Sequence, residues 1–453
     1  MGLMRLYALC LGFLLAATAQ AEVFETTLGN GLKVVVKEDH RAPTVVQQIW
    51  YHAGSMDERT GVTGVAHVLE HMMFKGTKSV PAGEFSRRIA AAGGRENAFT
   101  SYDYTAYFQQ LHKSKLALAM QLEADRMHNL VLSNAEFGKE IRVVMEERRW
   151  RTDDDAHALL DERLMATAYQ EHPYRTPIVG WMNDLENMTA DDARAWYHTW
   201  YVPNNATLVI AGDVDAKTVF ALAQRYYGAI PAGKLPARKP YLEPAQRGIK
   251  RLVVKAPAEL PHLVMAYHAP TLRDVKNDWQ PYALSVLAGV LDGNDSARLN
   301  RSLVREQQIA TAIGAGYGNT SRGPTLFSLE ATPAPGKTVN ELEAALREQL
   351  QLIVRDGVTE EELRRVRAQV TAAEVYKLDS VFYQAMQIGQ MESIGLSHRD
   401  LPLMLQKLQA VTAEQVREAA RTIMQDDQLT VAVLDPQPLS GEPKQHKGMQ
   451  HAH

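Results

Sequence analysis

Residues 188–215 read MTADDARAWYHTWYVPNNATLVIAGDVD, and residues 411–436 read VTAEQVREAARTIMQDDQLTVAVLDP. In the first stretch Thr189 is placed to cap a helix of about a dozen residues, which a polar turn separates from a strand beginning at Thr207. From Thr412 to Thr430 the same order returns at the same 18-residue offset. A unit that recurs near the end of each half predicts two copies of one fold. Between them lies the only stretch with linker character, AIPAGKLPARKPYLEPAQRGI at 229–249, with Pro231, Pro236, Pro240 and Pro244 and no helical period.

Working outward, GLKVVVKE (31–38), TVVQQIWYHAG (44–54) and YTAYFQQL (104–111) alternate like strands, and RLVVKAP (251–257) and HLVMAYHAP (262–270) open the second half in the same way. Helical periodicity marks 62–74, 83–92, 114–130, 134–168, 278–291, 339–354, 359–376 and 380–394. Strands precede helices rather than alternating strictly with them. The fold class expected is therefore α+β: two homologous domains, each a mostly antiparallel sheet with helices packed on one face. Their expected bounds are 22–230 and 250–436, joined by a linker at 231–249 and followed by a disordered tail at 437–453, in which His446, His451 and His453 are read as solvated.

The chain has 453 residues, 45% hydrophobic and 23% charged, which is ordinary globular composition with ample core. A net charge of −4 gives no basic field, which argues against nucleic acid or an anionic membrane surface as a partner. The start, MGLMRLYALCLGFLLAATAQA, combines Arg5, an apolar run from Leu6 to about Ala17 and a small-x-small ending at Ala19-Gln20-Ala21. It reads as a secretory signal peptide over 1–21, cleaved before Glu22, with an apolar run too short for a membrane span. Cys10 is the only cysteine, so the mature chain would carry no disulfide. The expected location is the periplasm, without integral membrane association.

Chemistry concentrates at HVLEH, residues 67–71. On a helix His67 and His71 (i, i+4) share a face and Glu70 lies beside them. Two imidazoles plus a distant carboxylate make a three-ligand zinc (Zn2+) site with a position open to water, and a carboxylate that is not a ligand, Glu70, can take the proton of that water. This is the inverted order of the HExxH arrangement. A chain of this length meets the three fixed letters by chance roughly once in twenty, so a third ligand is required. The helical pattern at 134–168 offers Glu136, Glu140, Glu146 and Glu147. Glu140 and Glu147, seven apart, share a face, so one can ligate while the other orients a ligand histidine. Spacing does not choose between Glu146 and Glu147.

With HxxEH, then FKGT, then a glutamate about 76 residues after the second histidine, on a two-fold repeated α+β chain, the sequence resembles the pitrilysin/insulinase family of zinc metallopeptidases. By length it is similar to the branch of mitochondrial processing peptidase and the short bacterial peptidases. The resemblance covers about 23–436 and rests on GSMDERTGVTGVAHVLEHMMFKGT, NAFTSYDYTAYF, VVMEE and HPYRTPIVG. It implies His67, His71 and Glu147 as zinc ligands, Glu140 as the supporting acid and Glu70 as the base. It further implies that Asn97, Ala98 and Phe99 border the metal and pair with an extended peptide substrate. In the second half it implies an arginine, Arg305, that holds substrate and oxyanion, and a tyrosine seven residues on. Thr311 or Ala312 stands in that place, with Tyr317 further along. The implied activity is zinc-dependent endoproteolysis of unfolded or extended peptides. The alternative is a catalytically weak or inactive partner or scaffold subunit of a peptidase heterodimer. The short chain implies a homodimer, or a heterodimer with a related chain lacking the histidine motif.

Overall fold

A computed structural model describes residues 22–439. The expected signal peptide and the tail histidines lie outside the described residues; Gln437, placed in the tail from sequence, ends a strand instead.

The first half is built from β1 (Val23–Thr27), β2 (Lys33–Glu38), β3 (Thr44–Tyr51), α1 (Val65–Met72), α2 (Glu84–Ala91), β4 (Arg95–Thr100), β5 (Thr105–His112), α3 (Leu116–Asn129), α4 (Asn134–Arg148), α5 (Ala156–Ala168), α6 (Met182–Asn187), α7 (Ala190–Trp200), β6 (Ala206–Gly212) and α8 (Ala216–Tyr227). The second half contains β7 (Lys250–Pro257), β8 (His262–Ala269), α9 (Gln280–Asp292), β9 (Ala310–Tyr317), β10 (Thr325–Pro333), α10 (Val339–Asp356), α11 (Glu360–Asp379), α12 (Val381–Ser393), α13 (Leu401–Gln409), α14 (Ala413–Ile423) and β11 (Leu429–Gln437).

The sheets run β1-β2-β6-β3-β5-β4 and β7-β11-β8-β10-β9. Without β1 the two orders match strand for strand, including the one parallel pair in each, β2 with β6 and β7 with β11. The repeat that frames this match is kept in detail. Thr189 and Thr412 each close a capping box, with Asp192 and Gln415 respectively, and the helices α7 and α14 feed the central strands β6 and β11.

Each sheet carries the helices of its own half on one face, as expected. Its other face is covered by a helix from the opposite half. α12 brings Ala385 and Ile388 against Val35, Val46, Trp50 and Val209 of the first sheet. α5 brings Leu160 and Leu164 against Val254, Val264, Ala266 and Ala432 of the second. This exchange explains why β6 is buried at every position and reads as continuous apolar sequence, since both faces of the sheet are covered. Gly389 permits the close approach of α12: a Cβ there would lie 2.0 Å from the Trp50 ring.

One expectation changes in detail. The pattern at 134–168 is not one helix. It breaks at a wide, π-helical turn over Arg149–Asp153, after which Asp155 accepts the Ala158 N–H at 2.9 Å and starts α5 in a new direction. The irregular stretch 231–247 is strapped down. Arg238 pairs with Asp57 at 2.9 Å, and the Glu243 carboxylate accepts the backbone N–H groups of Gln170, Glu171 and His172 at 2.6–3.0 Å.

Candidate active site

The start of α1 is set by side chains from outside the helix. Gly64 precedes it in the left-handed region (φ +87°), and the Glu58 carboxylate accepts from Gly64 N at 2.8 Å and Ala66 N at 2.9 Å, satisfying donors that a helix start leaves unpaired. Burial pushes the Glu58 carboxyl up to about 8 against the pull of those two donors. Asp184 holds the turn before it, accepting from Gly61 N, Thr63 N and Thr63 Oγ1. The apolar side of α1, Val65, Val68, Leu69 and Met72, is buried in the core. The helix is therefore fixed in rotation, and His67, Glu70 and His71 point to one place.

That place is the side of α4. His71 Nε2 lies 3.2 Å and His67 Nε2 3.8 Å from Glu147 Oε2, and donor atoms of the three residues lie within 4.8 Å of one another. No other such cluster occurs among the described residues. Two imidazoles and one carboxylate are a donor set suited to zinc with a position left open. Glu140, two turns before Glu147, reaches the other ring nitrogen of His71, with Oε2 3.6 Å from Nδ1, and is itself held by Lys75 at 2.8 Å. An acid behind a ligand imidazole fixes its tautomer and raises its basicity. Glu146, the alternative that spacing left open, points away. It pairs with Arg149 and is 69% exposed.

The charges follow from this packing. Burial, with the neighbouring His71, lowers His67 to about 4. Burial would lower His71 too, but its bonds to Glu140 and Glu147 outweigh it and raise the ring to about 9. Glu147 resists its own burial through the same His71 contact and the nearby His67 and Arg151, and falls to about 2. His71 is thereby held as a cation between two carboxylates, and an ion bound at its Nε2 would replace that proton. Glu70 is displaced upward by burial, opposed by the hydrogen bond it accepts from Thr100 Oγ1 at 2.5 Å.

A cavity of about 380 Å³ opens over the cluster, with β4 residues Asn97–Thr100 on one wall and Arg151, Thr152, Ile178 and Val179 on the other. β4 is the edge strand of its sheet, paired only with β5. From sequence this segment read as a polar turn entering a strand; it is itself a strand with one side unpaired. Asn97 Oδ1 accepts the Ala98 N–H at 2.8 Å, and Phe99 packs edge-on against Trp50 at 5.4 Å.

The second-half residues are not brought here. Arg305 does not line the cavity; it is 56% exposed and its nearest acid, Asp295, is 4.0 Å away. Its place in sequence beside a strand of the second sheet puts it on the other half of the chain. The guanidinium that does line the cavity is Arg151, one helical turn after Glu147 and 2.7 Å from its Oε1. Tyr317 is also committed elsewhere, its hydroxyl donating to the Pro270 carbonyl. Sequence reasoning singled out neither Arg151, Lys75 nor Glu58, and it gave Thr100 no role of its own beyond its place in the segment 97–100. Arg151 alone had a local signal, its i+4 spacing from Glu147.

Two family models match the chain: "Insulinase (Peptidase family M16)" over residues 33–180 and "Peptidase M16 inactive domain" over 187–370. Zinc protease PqqE of Helicobacter pylori is 31% identical over 358 residues, covering 78% of this chain and 80% of that protein. The crystal structure of a protease from Helicobacter pylori superposes with a TM-score of 0.86 at 29% identity, over 92% of this chain and all of that one. The periplasmic protease PqqL of Escherichia coli shares the fold at 20% identity (TM-score 0.78), with 92% of this chain covering 48% of that longer one.

Proposed function

The chain belongs to the insulinase (M16) family of peptidases, and on that premise we propose that it is a zinc-dependent endopeptidase acting on unfolded or extended peptides. One observation carries the reading: the His67, His71 and Glu147 cluster lies beside a separately held carboxylate, Glu70, and under an unpaired strand edge. Zinc bound by those three residues supplies Lewis acidity to a peptide carbonyl and to water. The edge of β4 at Asn97, Ala98 and Phe99 receives the substrate as an added strand, which fixes its backbone and leaves its side chains largely unread. Glu70 takes the proton from the attacking water at its carboxylate and returns it to the leaving amine. Thr100 holds Glu70 in rotamer, Glu140 holds His71, and Arg151 holds Glu147.

On this reading residues 22–230 form the peptidase domain and 250–436 its homologous companion, with the leader directing the protein to the periplasm. A dimer, with a second copy or a related chain lacking the histidine motif, brings a second-half Arg305 towards a cleft that its own chain does not reach. The deciding experiment compares wild-type protein with Glu70→Gln for zinc content and for cleavage of an unfolded-peptide mixture. Zinc retained with cleavage lost supports the proposal; a wild type that binds zinc and cuts nothing leaves the partner-subunit reading in its place.

A further inference from the structure

Three arginines lie at the end of α4 and in the wide turn that follows, and the packing treats each differently. Arg148 is buried against Glu162, with Nη1 2.7 Å from Oε2. Arg149 turns outward to Glu146. Arg151, within the π-helical stretch Arg149–Asp153, lines the cavity over His67, His71 and Glu147. Among the described residues that line this cavity it is the only lysine or arginine.

The Glu147 carboxylate is divided between two tasks. Its Oε2 faces the Nε2 atoms of His67 and His71, at 3.8 and 3.2 Å, whereas its Oε1 faces Arg151 Nη1 at 2.7 Å. An ion taken up at Oε2 therefore leaves the Arg151 contact intact. That contact occupies one nitrogen of a planar group with five N–H donors, and the Arg151 side chain is 56% exposed, so donors remain for a bound chain.

Charge then decides what such a chain should carry. Glu70 and Glu147 are the only carboxylates lining the cavity among the described residues, and two carboxylates balance one dipositive ion. Arg151 is left as the unbalanced charge, and a guanidinium keeps that charge at any working pH. Asn97, Ala98, Phe99 and Thr100 on β4 bring no charge to the other wall. The guanidinium is tied to a ligand carboxylate, so it sits beside the reacting bond. A chain extended along β4 advances about 3.3 Å per residue, which leaves only residues within about two of that bond in its reach.

Building on the peptidase reading above, we propose that Arg151 selects substrate: it favours peptides with Asp or Glu within two residues of the cut bond, pairing the acidic side chain with N–H groups that Glu147 does not use, and it disfavours Lys or Arg there. The forked donors of a guanidinium match a carboxylate, and a like charge beside it is repelled. Because Arg151 is more than half exposed, the preference is modest, about three- to fivefold, and salt weakens it.

Zinc-loaded Glu70→Gln protein keeps the ligands and the strand edge, so peptide binding can be read by fluorescence anisotropy without cleavage. The probe is an extended neutral peptide, amidated at its C-terminus, with one central Gln changed to Glu or to Lys. Glu is expected to tighten binding about three- to fivefold and Lys to weaken it. Adding Arg151→Glu should reverse both effects, and adding Arg151→Gln, which places no acid beside Glu147, should abolish both, with zinc content measured in each protein. On wild type, kcat/KM for the three peptides should follow the same order. Equal binding of the Glu and Gln peptides overturns the proposal. So does a preference that persists in both Arg151 variants, or a gain seen only when the peptide ends in an unblocked carboxylate. A wild type that cuts none of the peptides overturns the endopeptidase reading instead, and the binding series still decides the role of Arg151.

Discussion

Gly64 and Gly180 stand back to back: both have φ +87°, a Cβ on Gly64 would lie 2.4 Å from the Val179 carbonyl oxygen, and one on Gly180 would lie 2.3 Å from that of Thr63. This contact joins the HPYRTPIVG segment to the N-terminus of α1, so the cavity wall at Ile178 and Val179 and the histidine helix are positioned together. Gly180→Ala or Gly64→Ala should cost at least about 1–2 kcal/mol for left-handed backbone alone, before the backbone clash is counted. Urea unfolding measures the loss, and zinc affinity should fall with it.

Replacing His67, His71 or Glu147 by Ala should remove tight zinc binding, because two protein ligands hold an ion poorly. Glu146→Ala, which breaks only an exposed pair with Arg149, should retain it. Metal content per chain after dialysis against a weak chelator distinguishes the two outcomes.

Thr100→Val should keep zinc and lower kcat by about tenfold, the worth of one hydrogen bond to a charged group. The hydrogen bond from Thr100 favours ionised Glu70 against its burial. Its loss raises the pKa of the base, so the acid limb of the kcat/KM profile should move to higher pH. An unmoved acid limb would count against Glu70 as the base.

At one contact between the halves, Glu392 on α12 accepts from Lys33 Nζ and pairs with His398 Nδ1, both at 2.7 Å. Burial pushes this carboxyl up, but those two partners outweigh it and hold it at about 2, below its ordinary 4.5. A folded-state pKa below the unfolded one stabilises above the unfolded value and is lost as pH falls from 4.5 towards 2, for up to roughly 3 kcal/mol. Glu392→Gln should therefore lower stability at neutral pH and flatten its decline over that acid window. Chemical denaturation at a series of pH values would show both effects.

Much of the molecule was legible in the linear pattern because its signals are local. The capped helix, turn and strand at 189–207 recur at 412–430 and revealed the two-fold design. The i, i+4 spacing of His67 and His71, with Glu70 between them, follows from helix geometry alone and announced the metal chemistry. Other features depend on what a segment packs against. Periodicity runs through 134–168 without showing the turn at Arg149–Asp153, because α4 packs against helices of its own half whereas α5 packs on the second sheet. The choice of Glu147 over Glu146 is a matter of helix rotation, set in space by the packing of α1 against α4. Arg305 and Arg151 are equally basic in sequence, and only the fold puts Arg151 in the cavity. The exchange of α5 and α12 between the halves has no sequence signature at all: an apolar helix face records that it will be buried, and tertiary structure alone decides which sheet buries it.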